Sequence, residues 1–259
     1  MIIVSHSQMR CYKECRKKYF FSYVERLKPV ITPEVLLTGS TYHAKLAQII
    51  KTGAFEETGD KTDIMAKAWQ KYVLPKLGLS KDVERHFEIR LAEDVMLIGY
   101  VDAQTADGID IEHKSSGYPI DDKYIHNLSW DDQIGTYMVA SGAGAMYYTV
   151  CQKPSIRQKM NETEEEYFAR CVDWYAVDTE TKVNCFKVFR TKEDIEEHRL
   201  EIIELAHEMA ACKDFYRNPS ACMIMGCDYR NICLNYDPKF VIGFEKKPEG
   251  RRRPDDEVV

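Results

Sequence analysis

Between Val83 and Ser115 the hydrophobic residues leave a helical period and take up that of a strand. Val83, Phe87, Ile89 and Leu91 alternate with charged residues, which predicts a half-buried strand. Met96 to Gln104 predicts a second strand, Ala106-Asp107-Gly108 a short turn, and Ile109 to Ser115 a third strand. Helical patterns precede this meander. Ser5 or Ser7 can cap a helix running to Tyr23; a second spans Gly39 to Lys51 and stops at Gly53; a third spans Asp63 to Val73 and ends before Pro75. After the meander, Ser129 to Ser141 reads as a helix stopped by Gly142, and Ala145 to Gln152 as a buried strand. Thr163 with Glu166 has the form of a capping box, Asn184 to Arg190 that of a strand, and Thr191 caps a long helix to about Tyr216. The fold class expected is α/β, with helical elaboration at both ends.

Composition narrows the function classes. At 259 residues the chain suits one larger domain, and 44% hydrophobic with 30% charged residues is an ordinary globular balance. No stretch approaches the roughly 20 apolar residues of a membrane-spanning helix. The first residues carry no basic region and no long apolar run, so no signal peptide is read and a cytoplasmic setting is expected. A net charge of −6 argues against a non-specific nucleic-acid coat, which is usually basic. Nine cysteines, an odd number without a secretion signal, fit a reducing compartment and metal-binding thiols better than a disulfide framework. Ten of the last 15 residues are charged, and none is aromatic. Residues 245–259 are therefore expected to be a disordered tail, and 1–244 the folded domain.

The strongest chemical signal lies in the hairpin. Side chains two apart on a strand share a face at about 6.6 Å, so Glu112 and Lys114 point the same way. Asp102 lies across the tight turn, where it can face them. Two carboxylates and an ammonium at strand ends make a hard oxygen site for Mg²⁺ with a cation beside it. Such a metal stabilises charge on a phosphate and lowers the pKa of a bound water. The plain alternative is a solvated strand face with a cross-strand ion pair. Gln133 and Tyr137, four apart on the following helix, share one face. His43 stands on the second predicted helix, where a lone histidine is commonly a packing residue.

Two further clusters stand out. Cys222, Cys227 and Cys233 form a short chelating clip that lacks a fourth ligand, and tetrahedral zinc or an iron-sulfur cluster takes four. Cys15 is the candidate fourth; Cys11, one helical turn away, is a rival, and Cys212 a weaker one. Cys151, Cys171 and Cys185 sit in or near apolar stretches and read as packed thiols. The first helix is basic, with Arg10, Lys13, Arg16, Lys17 and Lys18 against Glu14 giving net +4 over nine residues. Its cations, Arg10, Lys13, Arg16 and Lys17, are expected to face the phosphates of a substrate while Tyr12, Tyr19, Phe20, Phe21 and Tyr23 pack inward.

In this order, Gly39-x-x-x-His43, Asp102, Glu112-x-Lys114 and Gln133-x-x-x-Tyr137 resemble the PD-(D/E)XK nuclease superfamily. The resemblance is to its RecB-like branch, which includes phage exonucleases and the CRISPR-associated adaptation nucleases. Ser5-x-Ser7 with Tyr12-x-x-Cys15 resembles the opening of that branch, and the likeness runs from about Ser5 to Asp237. It implies a restriction-endonuclease-like core, a mixed central sheet flanked by helices. It implies that His43, Asp102, Glu112 and the backbone carbonyl of His113 bind Mg²⁺ or Mn²⁺, that Lys114 is catalytic, and that Gln133 and Tyr137 border the site. It also implies a 4Fe-4S cluster on Cys15, Cys222, Cys227 and Cys233, although zinc there stays open. The function implied is a metal-dependent deoxyribonuclease, an exonuclease acting on ends or single strands in recombination, repair or phage DNA processing. A helicase, recombination or integrase protein would be its partner. The competing readings are a catalytically silent DNA-binding or scaffolding subunit and a zinc-stabilised structural protein.

Overall fold

The computed structural model describes residues 1–31, 34–224, 226–235 and 238–247. In chain order the elements are β1 (Ile2–Val4), α1 (His6–Glu14), α2 (Arg16–Tyr19), β2 (Leu27–Pro29), α3 (Glu34–Thr52), α4 (Lys61–Tyr72), β3 (Leu79–Arg90), β4 (Val95–Thr105), β5 (Asp110–Ser116), α5 (Asp122–Asn127), α6 (Asp132–Ser141), β6 (Ala145–Gln152), α7 (Glu164–Ala176), β7 (Val183–Phe189), α8 (Lys192–Ala211), α9 (Pro219–Ile224), α10 (Arg230–Asn235) and β8 (Phe244–Lys246). The class is mixed α/β, with a central mixed sheet flanked by helices, as the resemblance implies. The described residues fall into two compact units.

The larger unit takes residues 37–87 and 100–198. Its strands run in the order β4-β5-β6-β7, with β3 also against β4. β4 and β5 are antiparallel, with Ala103 opposite Ile111; β5 and β6 are parallel, with Glu112 opposite Tyr148; β6 and β7 are antiparallel, with Thr149 opposite Cys185. A parallel β5–β6 pair requires a crossover, which α5 and α6 supply. β5 therefore has a neighbour on each side, and Ile111, Glu112 and His113 are all buried. One apolar core joins Leu46 and Ile49 of α3, Met65 and Trp69 of α4, Ile111 of β5, Cys151 of β6 and Tyr175 of α7. Trp69 is 0% exposed, and truncating such a residue to alanine costs about 3–5 kcal/mol.

Local signals explain the boundaries. Asp60 caps α4 through the Thr62 N–H, and Thr163 and Glu166 form the expected capping box of α7. Gly53 and Gly142 end α3 and α6 at φ of 83° and 68°, in the left-handed region that glycine adopts without steric cost. The predicted helix 129–141 begins later. Asp131 caps it, and Leu128 to Trp130 is a 3₁₀ turn.

The smaller unit takes its described residues from 1–36, 88–99 and from 199 onward. β1 pairs in parallel with the start of β4, and β2 pairs antiparallel with β8. Phe21, Leu27, Tyr229 and Ile232 form its small core, with Cys227, Cys233 and Phe244 packed on it. Three expectations are corrected here. The helix from Ser5 to Tyr23 is interrupted at Cys15, whose backbone is extended at φ −163°, ψ 113°, and a π-helical turn covers Phe20–Val24. The long helix after Thr191 ends at Ala211 rather than Tyr216. Glu245 and Lys246, assigned to the tail, are strand residues of β8 because their backbone pairs with Lys28 and Leu27. The rest of the tail, 248–259, lies outside the described residues. Among the described residues no helix is long and apolar enough to cross a membrane.

Candidate active site

The larger unit brings His43, Asp102, Glu112, Lys114, Gln133 and Tyr137 into one connected set. Asp102, on β4, accepts from the backbone N–H of His113 at 2.7 Å through Oδ2, and its Oδ1 lies 3.2 Å from His43 Nδ1. The antiparallel register between β4 and β5 makes the first contact; the length of α3 brings His43 to the second. Across the site, Lys114 Nζ donates to Glu112 Oε1. Gln133 then joins both: its amide Nε2 donates to Glu112 Oε1 at 2.8 Å, and its Oε1 accepts from Lys114 at 2.6 Å. The same amide reaches the Tyr137 hydroxyl at 3.0 Å, consistent with the i, i+4 spacing on α6. Tyr137 packs edge-on against Phe87.

The electrostatics follow from these contacts. Burial pushes the Glu112 carboxyl up to about 7; the Asp102 charge adds to this, and Lys114 opposes it. Burial would also raise Asp102, but the His43 imidazole and the His113 N–H hold it well below the usual carboxylate range. For His43 the Asp102 charge and hydrogen bond outweigh burial, so its imidazole is raised. For Lys114 the Glu112 carboxylate outweighs burial and raises the ammonium. Two neighbouring carboxylates thus have environments that push their proton affinities apart, a pattern found at catalytic sites.

A divalent cation fits part of this set. Glu112 Oε2 is buried and has no hydrogen-bond partner, which in a folded interior costs about 1–3 kcal/mol unless a ligand is bound. Its hard oxygen and those of Asp102 suit Mg²⁺ or Mn²⁺. The side chains are nevertheless drawn to internal cations, Asp102 to His43 and Glu112 to Lys114. Among the described residues, no three His, Cys, Asp or Glu side chains stand in a chelating arrangement.

Residues outside the sequence reading support the site. The His113 side chain points into the core, with Nδ1 2.7 Å from Thr149 Oγ1, where Trp69 Nε1 also donates at 3.2 Å. Burial lowers the His113 imidazole to about 4, so it is neutral. Tyr124 of α5 and Tyr148 of β6 share a 3.0 Å contact between hydroxyls, and Tyr148 is the register partner of Glu112. The one sequence signal for these was Thr149, a hydroxyl within an apolar strand.

The other predicted residues lie in the smaller unit. Cys15 is buried and accepts from the Asn218 N–H at 3.4 Å; Cys222, Cys227 and Cys233 are half-buried. Burial raises the Cys227 thiol, against the backbone N–H of Tyr229 and the Lys18 charge, which lower it. Burial pushes the Cys11 thiol up to about 12. Arg16 is sandwiched between the rings of Tyr12 and Tyr216 at 5.0 and 4.7 Å and pairs with Glu208, while Lys17 lies over Phe20 and Phe21. Arg10 and Lys13 are exposed. The inward packing holds for Tyr12 and Phe21.

The sequence model of the PD-(D/E)XK nuclease superfamily matches residues 3–234, and the chain belongs to that superfamily. Its members use divalent metals such as Mg²⁺ or Mn²⁺. No curated protein matches the sequence. Solved structures to which the chain is similar include the protein SSO0001, at 16% identity and a TM-score of 0.48 over 90% of this chain and 86% of that one. A phage-related exonuclease from Haemophilus somnus 129PT is 14% identical, with a TM-score of 0.36 over 65% of this chain and 79% of that one. LHK-Exo in complex with dAMP is 13% identical, with a TM-score of 0.39 over 89% of this chain and 93% of that one.

Proposed function

We propose that the chain is a metal-dependent deoxyribonuclease of the RecB-like branch, acting as an exonuclease on DNA ends or single strands. Recombination, repair or phage DNA processing would be its setting. The observation that carries this reading is the connected set Asp102, Glu112, Lys114 and Gln133 around a buried carboxylate oxygen that lacks a partner. Asp102 and Glu112 would hold Mg²⁺ or Mn²⁺, with His43 and the His113 carbonyl as further ligands. The metal supplies Lewis-acid stabilisation and a more acidic bound water.

The chain's own residues do the rest. Gln133 fixes the Lys114 ammonium and the Glu112 carboxylate relative to each other. Lys114 places a positive charge where negative charge develops on the phosphate. Tyr137 holds the Gln133 amide in its rotamer. Arg10, Lys13, Arg16 and Lys17 would meet DNA phosphates in the smaller unit. Cys15, Cys222, Cys227 and Cys233 would hold a 4Fe-4S cluster, or zinc as the alternative. What supports this is that all four belong to the smaller unit, with Cys227 and Cys233 packed on its core. In this reading residues 1–244 act as one nuclease with a cluster holding its chain ends, and a helicase or integrase would be a partner protein.

The rival reading, a catalytically silent DNA-binding subunit of a recombination or CRISPR adaptation complex, is disfavoured by the intact acidic and basic set. A cleavage assay on end-labelled linear and circular DNA, with and without Mg²⁺ or Mn²⁺, decides between them. Metal-dependent loss of linear DNA alone establishes the exonuclease. Binding without cleavage under any metal establishes the silent subunit.

A further inference from the structure

The segment between Ser116 and Asp131 joins β5 to α6 and carries two aromatic residues turned to solvent. Tyr118 is 79% exposed and Trp130 is 81% exposed, whereas Trp69 is fully buried. Exposure at this level leaves two flat aromatic faces open to a stacking partner. Three contacts pin the segment to the candidate site. Ser116 Oγ donates to the Tyr118 carbonyl at 2.8 Å and accepts from its N–H at 3.0 Å, two residues beyond Lys114. Tyr124 meets Tyr148, the register partner of Glu112. Asp131, directly after Trp130, caps the helix that carries Gln133 to Glu112 and Lys114.

We propose that Tyr118 and Trp130 form a stacking platform for the unpaired bases of a DNA strand whose backbone enters the site at Lys114. This rests on the nuclease reading and specifies its substrate as single-stranded DNA. Charge decides between bases and phosphates as the occupant. Asp121, Asp122, Asp131 and Asp132 lie in this segment or at its end against one lysine, Lys123. Such an acidic stretch repels a duplex backbone laid along it. Bases are neutral, and every base offers a flat face to an aromatic ring without regard to sequence. A strand with splayed bases can thus keep its phosphates toward Lys114 and its bases toward Tyr118 and Trp130.

The test is binding in EDTA, which prevents cleavage, with three probes: oligothymidylate, the same backbone without bases, and duplex of equal length. Oligothymidylate should quench tryptophan fluorescence. Trp130→Ala and Tyr118→Ala should each weaken its binding about 5- to 150-fold, the equivalent of 1–3 kcal/mol per stacked base. Trp130→Phe should restore most of that affinity without the quench, and the abasic strand should bind wild type and variants alike. Both side chains are exposed, so melting temperatures should not move. The proposal is overturned if Trp130→Ala binds oligothymidylate as wild type does, or if wild type binds the abasic strand or duplex equally well. Self-association that Trp130→Ala abolishes while DNA affinity is unchanged would assign the patch to a second copy of the chain and overturn it too. Intact stacking with no cleavage under Mg²⁺ or Mn²⁺ would instead sink the nuclease reading alone.

Discussion

The backbone N–H of His113 donates to Asp102 Oδ2 at 2.7 Å, so the residue between Glu112 and Lys114 anchors the opposing carboxylate through its main chain. The His113 side chain meanwhile turns to Thr149 and Trp69. One strand thereby orients all three charged groups. Removing the Asp102 side chain leaves a buried N–H and the His43 imidazole without their acceptor, which costs about 1–3 kcal/mol. We predict that Asp102→Ala abolishes cleavage and also lowers stability in chemical denaturation. Asp102→Asn, which keeps an acceptor oxygen, should abolish cleavage with a smaller loss. Equal stability of wild type and Asp102→Ala would show that the contact carries no weight.

Glu112 and Lys114 should separate binding from chemistry. Glu112→Ala removes a ligand oxygen, so Mn²⁺ affinity measured by calorimetry should fall together with cleavage. Lys114→Ala should leave Mn²⁺ affinity within a few-fold of wild type and slow single-turnover cleavage by about 10²–10³, the usual effect of deleting one group that stabilises developing charge. Unchanged cleavage in Lys114→Ala would remove it from the mechanism.

His43 offers a test of metal preference. An imidazole ligand favours Mn²⁺ over Mg²⁺ on grounds of softness. Activity should therefore saturate at lower Mn²⁺ than Mg²⁺, and His43→Ala should narrow that gap. Identical titrations in wild type and variant would make His43 a partner of Asp102 only.

The pH dependence of metal-free stability has a definite sign. Glu112 is raised from 4.5 to about 7, chiefly by burial, so the folded chain keeps a proton there that the unfolded chain has lost. The stability this proton confers is fully present below pH 4.5 and is lost as pH rises through about 7. His43 is also raised, so its contribution fades in the same direction. Asp102 is lowered and acts oppositely, but only in more acid solution, whereas burial lowers the His113 imidazole from 6.5 to about 4, so its neutral form offsets the Glu112 contribution up to about pH 6.5. The unfolding midpoint of metal-free protein should therefore fall as pH rises from about 6.5 to 8. Glu112→Gln should flatten that decline, and saturating Mg²⁺ or Mn²⁺ should offset it by binding the ionised carboxylates. A midpoint that rises over this interval without metal would contradict the assignment.

The strand alternation and the tight turn at Asp107-Gly108 made Asp102, Glu112 and Lys114 legible as neighbours. Helical spacing did the same for Gln133 and Tyr137. The sequence is silent on which internal partners they take. That His43 pairs with Asp102 follows from where α3 lies, and Gln133 bridging Glu112 and Lys114 from the crossover between β5 and β6. The break at Cys15 was hidden because no residue from Arg16 to Tyr19 disfavours helix; it is marked by tertiary contacts to Asn218. β8 was hidden for the opposite reason. Glu245 and Lys246 look like solvated tail, and only backbone pairing with β2 makes them a strand.

The last prediction concerns the thiols. Cys15 and Cys222 are separated by more than 200 residues, and closing a loop of that length costs several kcal/mol of chain entropy, on the order of (3/2)RT ln n plus a constant. A cluster held by Cys15, Cys222, Cys227 and Cys233 would keep that loop shut. It would also give the raised Cys227 thiol a cation to favour its ionised form. Anaerobically purified protein should then be brown, with a broad visible absorbance that dithionite bleaches. Cys227→Ser should lose the colour together with solubility and thermal stability, whereas Glu112→Ala should lose only cleavage. Cys11→Ser should keep the colour, since Cys15 supplies the fourth ligand in this reading. A colourless preparation with one zinc per chain would replace the cluster with a zinc site. A folded preparation with no metal at these thiols would refute both.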